Sequence, residues 1–144
     1  MPIKQNFSEN PKSQIKSKKR VTDHGEVFTA EREVKAMCDL VKDETQRLDS
    51  RFLEPACGDG NFLVEILSRK LEILKKQYKK SVEEYEKFSV VTAGSLYGVE
   101  LLKDNTERCR QRLFDLWNKE YTAVCKKQCS DDFRNVIKFI FQNL

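Results

Sequence analysis

Phe52-Leu53-Glu54-Pro55-Ala56-Cys57-Gly58-Asp59-Gly60-Asn61-Phe62-Leu63 is the stretch on which the fold class turns. The run at 51–53 stops at Glu54-Pro55 and reads as a short buried strand, because Pro55 has no N–H to give a ladder. Cys57-Gly58-Asp59-Gly60 is a turn whose glycines let the backbone bend tightly and let another group approach closely. Phe62, Leu63, Ile66, Leu67, Leu71 and Leu74 then recur at helical steps. Strand, glycine turn and helix start together aim free backbone N–H groups at one point, where a carboxylate or phosphate is welcome.

Upstream, Val34, Met37, Cys38, Val41, Thr45 and Leu48 form one stripe and predict a helix over Glu31–Leu48, with Thr29 as its N-cap. Downstream, the apolar helix runs into a charged stretch that keeps Tyr78, Val82 and Tyr85 at helical spacing, so it too reads as helix. Ser95–Leu101 is a second strand. Asp104 or Asn105 can cap a third helix carrying Cys109, Leu113, Leu116 and Trp117. Asp131 or Asp132 can open a last one through Phe133, Val136, Ile137 and Ile140. Strands separated by helices predict a helix-rich α/β domain with about two parallel strands.

The chain has 144 residues and 35% charged side chains, which suits one soluble domain with a tail. No window approaches the ~18 uncharged apolar residues of a membrane span, and the N-terminus lacks the apolar core of a secretory signal. The five cysteines, an odd number, read as reduced thiols in a cytoplasmic protein. Cys125 and Cys129 read as two thiols on one helix face. A metal site would need more donors, and the single histidine, His24, is far away in sequence. Net charge is +4, but residues 1–20 carry six basic side chains against Glu9 alone, a net +5 that leaves about −1 for the rest. That segment, with Pro2 and Pro11 and no apolar face, reads as a basic disordered tail, either solubilising or able to touch nucleic-acid phosphates. The folded domain then spans 21–144.

The glycine turn fits a dinucleotide fingerprint poorly. Position 63 is Leu rather than Gly, and Lys79 and Lys80 stand where an acid is wanted. The second strand instead ends in Gly98-Val99-Glu100, and an acid there can accept hydrogen bonds from two ribose hydroxyls. A glycine turn and a strand-end carboxylate make a candidate nucleoside site; an ordinary turn and a solvent-facing acid are the plainer alternative.

Glu54-Pro55-Ala56-Cys57-Gly58-Asp59-Gly60-Asn61-Phe62 resembles the cofactor motif of S-adenosylmethionine-dependent N6-adenine DNA methyltransferases of restriction–modification systems. His24-Gly25-Glu26-Val27-Phe28-Thr29 resembles the segment that precedes this motif in the γ order, with Ala30 where the family usually has Pro. Leu96-Tyr97-Gly98-Val99-Glu100-Leu101 is similar to the strand whose acid holds the ribose. The likeness runs from about His24 to the end of the chain, with a long helical region at 69–93. It implies the first part of a Rossmann-like class I methyltransferase fold and a partial S-adenosylmethionine site. Thr29 would then touch the methionine carboxylate, while Pro55, Ala56 and Gly58 line the methionine and sulfonium. Gly60 and Phe62 would belong to the same loop and helix start. Glu100 would bind the ribose, Leu101 would pack on adenine, and Cys57 would be a small wall residue. Phe28 and Glu54 belong to the same cofactor set.

The family's Pro-Pro-Tyr/Phe loop, which engages the flipped target base, has no counterpart, since prolines stand only at 2, 11 and 55. No catalytic residue and no metal ligand is therefore assigned. Three readings stay open: a truncated cofactor-binding segment, inactive alone; one subunit of a split methyltransferase, completed by another polypeptide and acting on DNA; or a non-enzymatic nucleoside-binding or interaction module.

Overall fold

The computed structural model describes residues 13–144. Among them, the elements follow in the order α1 (Lys18–His24), α2 (Glu31–Asp39), α3 (Lys42–Thr45), β1 (Phe52–Glu54), α4 (Asn61–Tyr78), α5 (Val82–Gly94), β2 (Leu96–Gly98), α6 (Lys103–Cys125) and α7 (Asp131–Phe141). The two strands run parallel, with Phe52 beside Leu96, Leu53 beside Tyr97 and Glu54 beside Gly98. A parallel pair needs a crossover, supplied here by two helices, α4 and α5. The ladder outlasts the strands. The Val99 N–H donates to the Glu54 carbonyl at 3.0 Å, and the Cys57 N–H donates to the Val99 carbonyl at 3.0 Å.

Helix α4 is the hub. Leu63, Leu67, Leu71 and Leu74 are buried at its i, i+4 and i+3 positions, and it packs on α2, α3, α5, α6 and both strands. Each fully buried aliphatic side chain contributes about 1.5–3 kcal/mol. Helix α6 brings Cys109, Leu113, Trp117 and Tyr121 to the same core at successive turns. Trp117 stacks on Tyr121 at 4.8 Å between ring centroids, and its indole N–H donates to the Ser89 hydroxyl at 3.1 Å. Ile137 and Phe141 of α7 close that end.

Among the described residues, the sheet is covered on one face only. Leu53, 68% exposed, and its partner Tyr97, 47% exposed, alternate outward from buried Leu96 and half-buried Phe52. Val99 continues that apolar row at 57% exposure.

Several expected boundaries move. The helix expected over Glu31–Leu48 is broken at Val41, whose φ of −119° leaves the helical region, so α2 and α3 are separate. The break lets Val34, Cys38, Thr45 and Leu48 all reach the core, while Met37 and Val41 stay exposed. Thr29 caps nothing; Ala30 occupies the N-cap of α2 without a side-chain bond. The helical region at 69–93 is interrupted before Ser81, whose hydroxyl accepts from the Glu84 N–H and starts α5. Strand β2 is shorter than Ser95–Leu101. Helix α6 has Leu102 at its N-cap rather than Asp104 or Asn105, and Ser130 rather than an aspartate caps α7. Cys129 does not share a helix face with Cys125, because the chain leaves α6 at Lys126, φ 50°.

Residues 1–12 of the expected tail lie outside the described residues. Residues 13–20 are not the loose arm that their composition predicts. Ser17 caps α1 by accepting from the Arg20 N–H at 3.1 Å. The Arg20 guanidinium then forks between two carboxylates, reaching Glu26 at 2.7 and 2.8 Å and Asp104 at 2.9 and 3.0 Å. The folded region therefore begins before residue 21.

Lys70 is a fully buried ammonium beneath the strand entrances. It donates to the Leu48 carbonyl at 3.2 Å, to the Ser50 carbonyl and to the Ser95 hydroxyl at 2.7 Å, and lies 5.1 Å from the Phe52 ring centroid. Burial pushes its pKa down from 10.5 to about 8. Removing it orphans two carbonyls, so Lys70→Met should lower stability at pH 7 by about 1–3 kcal/mol in urea titrations. Above pH 8 the folded state sheds the buried charge before the unfolded chain loses its proton. The wild type should therefore gain on Lys70→Met as pH rises from about 8 towards 10.5. Parallel stability curves for the two proteins across that range would contradict this role.

Candidate functional site

The loop from Pro55 to Gly60 is built by close approaches. Gly58 has a φ of 56° and Gly60 a φ of 100°, left-handed values that favour glycine. A Cβ on Gly60 would sit 2.7 Å from the Cys109 sulfur and 3.3 Å from its α-carbon, so this end of the loop rests on the backbone of α6. A Cβ on Gly58 would sit 3.2 Å from the Phe28 ring and 4.0 Å from Oε2 of Glu100. Phe28, Gly58 and Glu100, distant in sequence, thus meet at the carboxyl ends of the two parallel strands.

Other groups fix the loop's flanks. The Arg112 guanidinium donates to the Asp59 carbonyl and to Oδ1 of Asn61, both at 2.9 Å, and pairs with the Asp59 carboxylate at 3.3 Å. The Glu54 carboxylate accepts the Ala56 N–H at 3.2 Å. The Asn61 amide donates to the Thr29 carbonyl at 3.3 Å, tying the upstream segment to the start of α4. Glu100 accepts the Leu102 N–H on Oε1 at 2.9 Å, so one oxygen steadies the entry to α6 while the other faces Gly58.

Segment 13–28 is strapped over this corner. The Phe28 N–H donates to the Gln14 carbonyl at 2.7 Å, and the Gln14 side-chain amide donates to the Phe28 carbonyl at 3.0 Å. Glu26 accepts from both Arg20 and buried Asn105, and Arg20 holds its carboxyl below the usual range. Asp104, between Arg20 and Lys16, is brought down to about 2. Sequence reasoning missed this strap and Arg112. Glu26 lay inside a recognised motif, but Asn105, which donates to it, and Asp104, which shares Arg20 with it, stand about 80 residues away with no local pattern to announce them.

A cavity of about 180 Å³ lies beside the loop, lined by Cys57, Gly98, Val99, Glu100, Thr106, Cys109 and Leu144. That is smaller than the ~300–1,000 Å³ of typical ligand pockets, so it can take one part of a nucleoside-sized ligand. The rest would lie on exposed Pro55, Ala56 and Leu101, the last 84% exposed. Phe62 does not join this corner; it lines a separate groove with Met37, Val41, Phe52 and Leu53. Thr29 is half-buried and contributes its carbonyl, bonded to Asn61. Cys57 and Cys109 both line this cavity, and the Cys57 thiol donates to the Gly58 carbonyl at 3.8 Å. Among the described residues, no cluster of three His, Cys, Asp or Glu could hold a metal ion, and no helix is long and apolar enough to cross a membrane.

Comparison with protein-family models, with curated proteins and with solved structures finds no match to the chain.

The Gly60 contact yields a direct check. Gly60→Ala adds a left-handed Cβ and a collision with Cys109, and should cost about 1–3 kcal/mol in chemical denaturation. Gly94→Ala, with nothing within 4 Å of the new carbon, should leave stability unchanged or slightly raised. Equal effects of the two substitutions would contradict the seating of the loop on α6.

Proposed function

We propose that this chain is the S-adenosylmethionine-binding part of an N6-adenine DNA methyltransferase with a Rossmann-like class I fold, acting in the cytoplasm and inactive in methyl transfer by itself. The observation that carries the reading is the meeting of Phe28, Gly58 and Glu100 at the carboxyl ends of a parallel strand pair, where open α/β sheets bind their ligands.

The donor set suits the cofactor. Helix α4 has 18 residues and no acid in its first turn, so its N-terminus favours the methionine carboxylate. Glu100 turns Oε2 towards the loop and is suited to accept ribose hydroxyls. Exposed Leu101 would be covered by adenine. When bound, S-adenosylmethionine supplies a methyl group on a positively charged sulfur. This chain's residues hold the donor; they do not orient an acceptor amine. Positioning of donor and acceptor accounts for roughly 7–11 kcal/mol of barrier lowering in well-aligned reactions, and the groups that would position a flipped base have no counterpart here.

The open sheet face favours the split arrangement over a free-standing binding module. Leu53, Tyr97 and Val99 expose a contiguous apolar row that a complementing methyltransferase polypeptide would cover, bringing with it the DNA contacts. Lys16 and Arg20 of the basic segment are engaged in ion pairs with Asp104 and Glu26, so they are not available as simple phosphate contacts.

Calorimetric titration with S-adenosylhomocysteine tests the reading. The wild type should bind weakly. Glu100→Ala should bind about 10- to 100-fold more weakly still, the loss expected for charge-assisted hydrogen bonds of about 1.5–3 kcal/mol. Equal affinity of the two proteins, or no binding by either, would overturn it.

A further inference from the structure

The strap of residues 14–28 lies over the corner where Phe28, Gly58 and Glu100 meet, yet it has no share in the core. Helix α1 buries none of its residues, and Ile15, Val21, Val27 and Phe28 all stay outside the hydrophobic core. What holds the strap is polar. At its ends, Gln14 and Phe28 join through a reciprocal pair of hydrogen bonds. In its middle, the Arg20 guanidinium reaches Glu26 within the strap and Asp104 in the first turn of α6. The Asn105 amide donates to Glu26, and Lys16 pairs with Asp104 at 3.1 Å. Past the strap, the Asn61 amide holds the Thr29 carbonyl at 3.3 Å, and Ala30 opens α2 with no side-chain cap.

We propose that residues 14–28 form a lid, latched to α6 through Arg20 and hinged at Thr29–Ala30, that opens as one unit while the rest of the domain stays folded. A segment with few buried apolar contacts opens at a lower free energy than the whole fold. A helix of seven residues does not persist in water by itself, so α1 melts when it leaves its cluster. Arg20 is the chief link because it grips a carboxylate of the lid and a carboxylate of α6 at once. Lys16 adds a single contact to the same Asp104. Asp104 is exposed, so salt screens the latch, whereas the leucines buried along α4 are held by apolar contact that salt does not screen. In the closed position the Phe28 ring fills the space that a Cβ on Gly58 would enter, at 3.2 Å, beside Oε2 of Glu100. A ligand approaching the Gly58 backbone from that side must lift the ring. This last consequence rests on the nucleoside-site reading; the opening of the lid does not.

The test is amide hydrogen exchange on the full-length, folded chain without ligand. The Gly25 and Phe28 amides, bonded to the Val21 and Gln14 carbonyls at 2.8 and 2.7 Å, report the lid. The amides of Leu67 and Leu113 report α4 and α6. In the wild type the lid amides should be far less protected than the core amides, and less still when sodium chloride is raised. Arg20→Gln should lower lid protection by about a further 10-fold and leave the core amides unchanged. Arg20→Lys keeps the charge without the fork and should fall between the two. Asp104→Asn cuts the latch from the α6 side, leaves Arg20 on Glu26, and should also loosen the lid alone. Lid and core amides exchanging at one rate in the wild type would overturn the proposal. So would an Arg20→Gln effect shared equally by both, or a lid indifferent to Arg20→Gln and Asp104→Asn. Failure of S-adenosylhomocysteine to bind in calorimetry would remove the site reading and leave these exchange rates as expected.

Discussion

The α-carbon of Gly60 rests against the Cys109 side chain, and the candidate site depends on that contact. With no room for a Cβ at this point, the chain can leave β1, turn through two left-handed glycines and enter α4 while touching α6. Move the loop outward by a methyl group and Arg112 loses its aim at the Asp59 carbonyl and at Asn61. Phe28 likewise loses the bare backbone of Gly58 on which it lies.

Around that contact the energetics divide into an apolar and a polar half. The apolar half is α4, sunk among four helices and two strands, with α6 and α7 adding Trp117, Tyr121 and Phe141. Its buried area outweighs any single polar bond and explains how so small a sheet can be held in place. The polar half is the strap, in which Arg20 joins Glu26 to Asp104 and Asn105 receives Lys16 and donates to Glu26. Exposed ion pairs contribute little singly, but here one guanidinium forks between two carboxylates, and a buried amide holds one of them, Glu26. The strap decides where Phe28 lies, and so shapes the mouth of the site rather than its core.

The glycine loop was legible because its signals are local: a proline that ends a strand, glycines that need positive φ, and an apolar stripe that restarts at helical spacing. The parallel pairing followed from the strand–helix–strand order. The break between α2 and α3 was hidden because the apolar stripe across it keeps its period, and only tertiary packing turns Met37 and Val41 outward. The caps at Leu102 and Ser130 escaped for a related reason. Asp104 and Asn105 are good cap residues by type, but the strap claims both side chains. Glu100 was legible as a strand-end acid, whereas its bond to the Leu102 N–H depends on backbone geometry that composition does not carry. Composition misled most over residues 13–20, where basic residues that suggest a loose arm find carboxylates far along the chain.

A heteronuclear NMR titration of the isotope-labelled chain with S-adenosylhomocysteine bears most directly on the central claim. The account predicts that amide shifts concentrate at Phe28, at residues 56–60 and at 99–102, and are small on α5 and α7. Shifts spread over the exposed sheet face at Leu53 and Tyr97, or absent at saturating ligand, would contradict it.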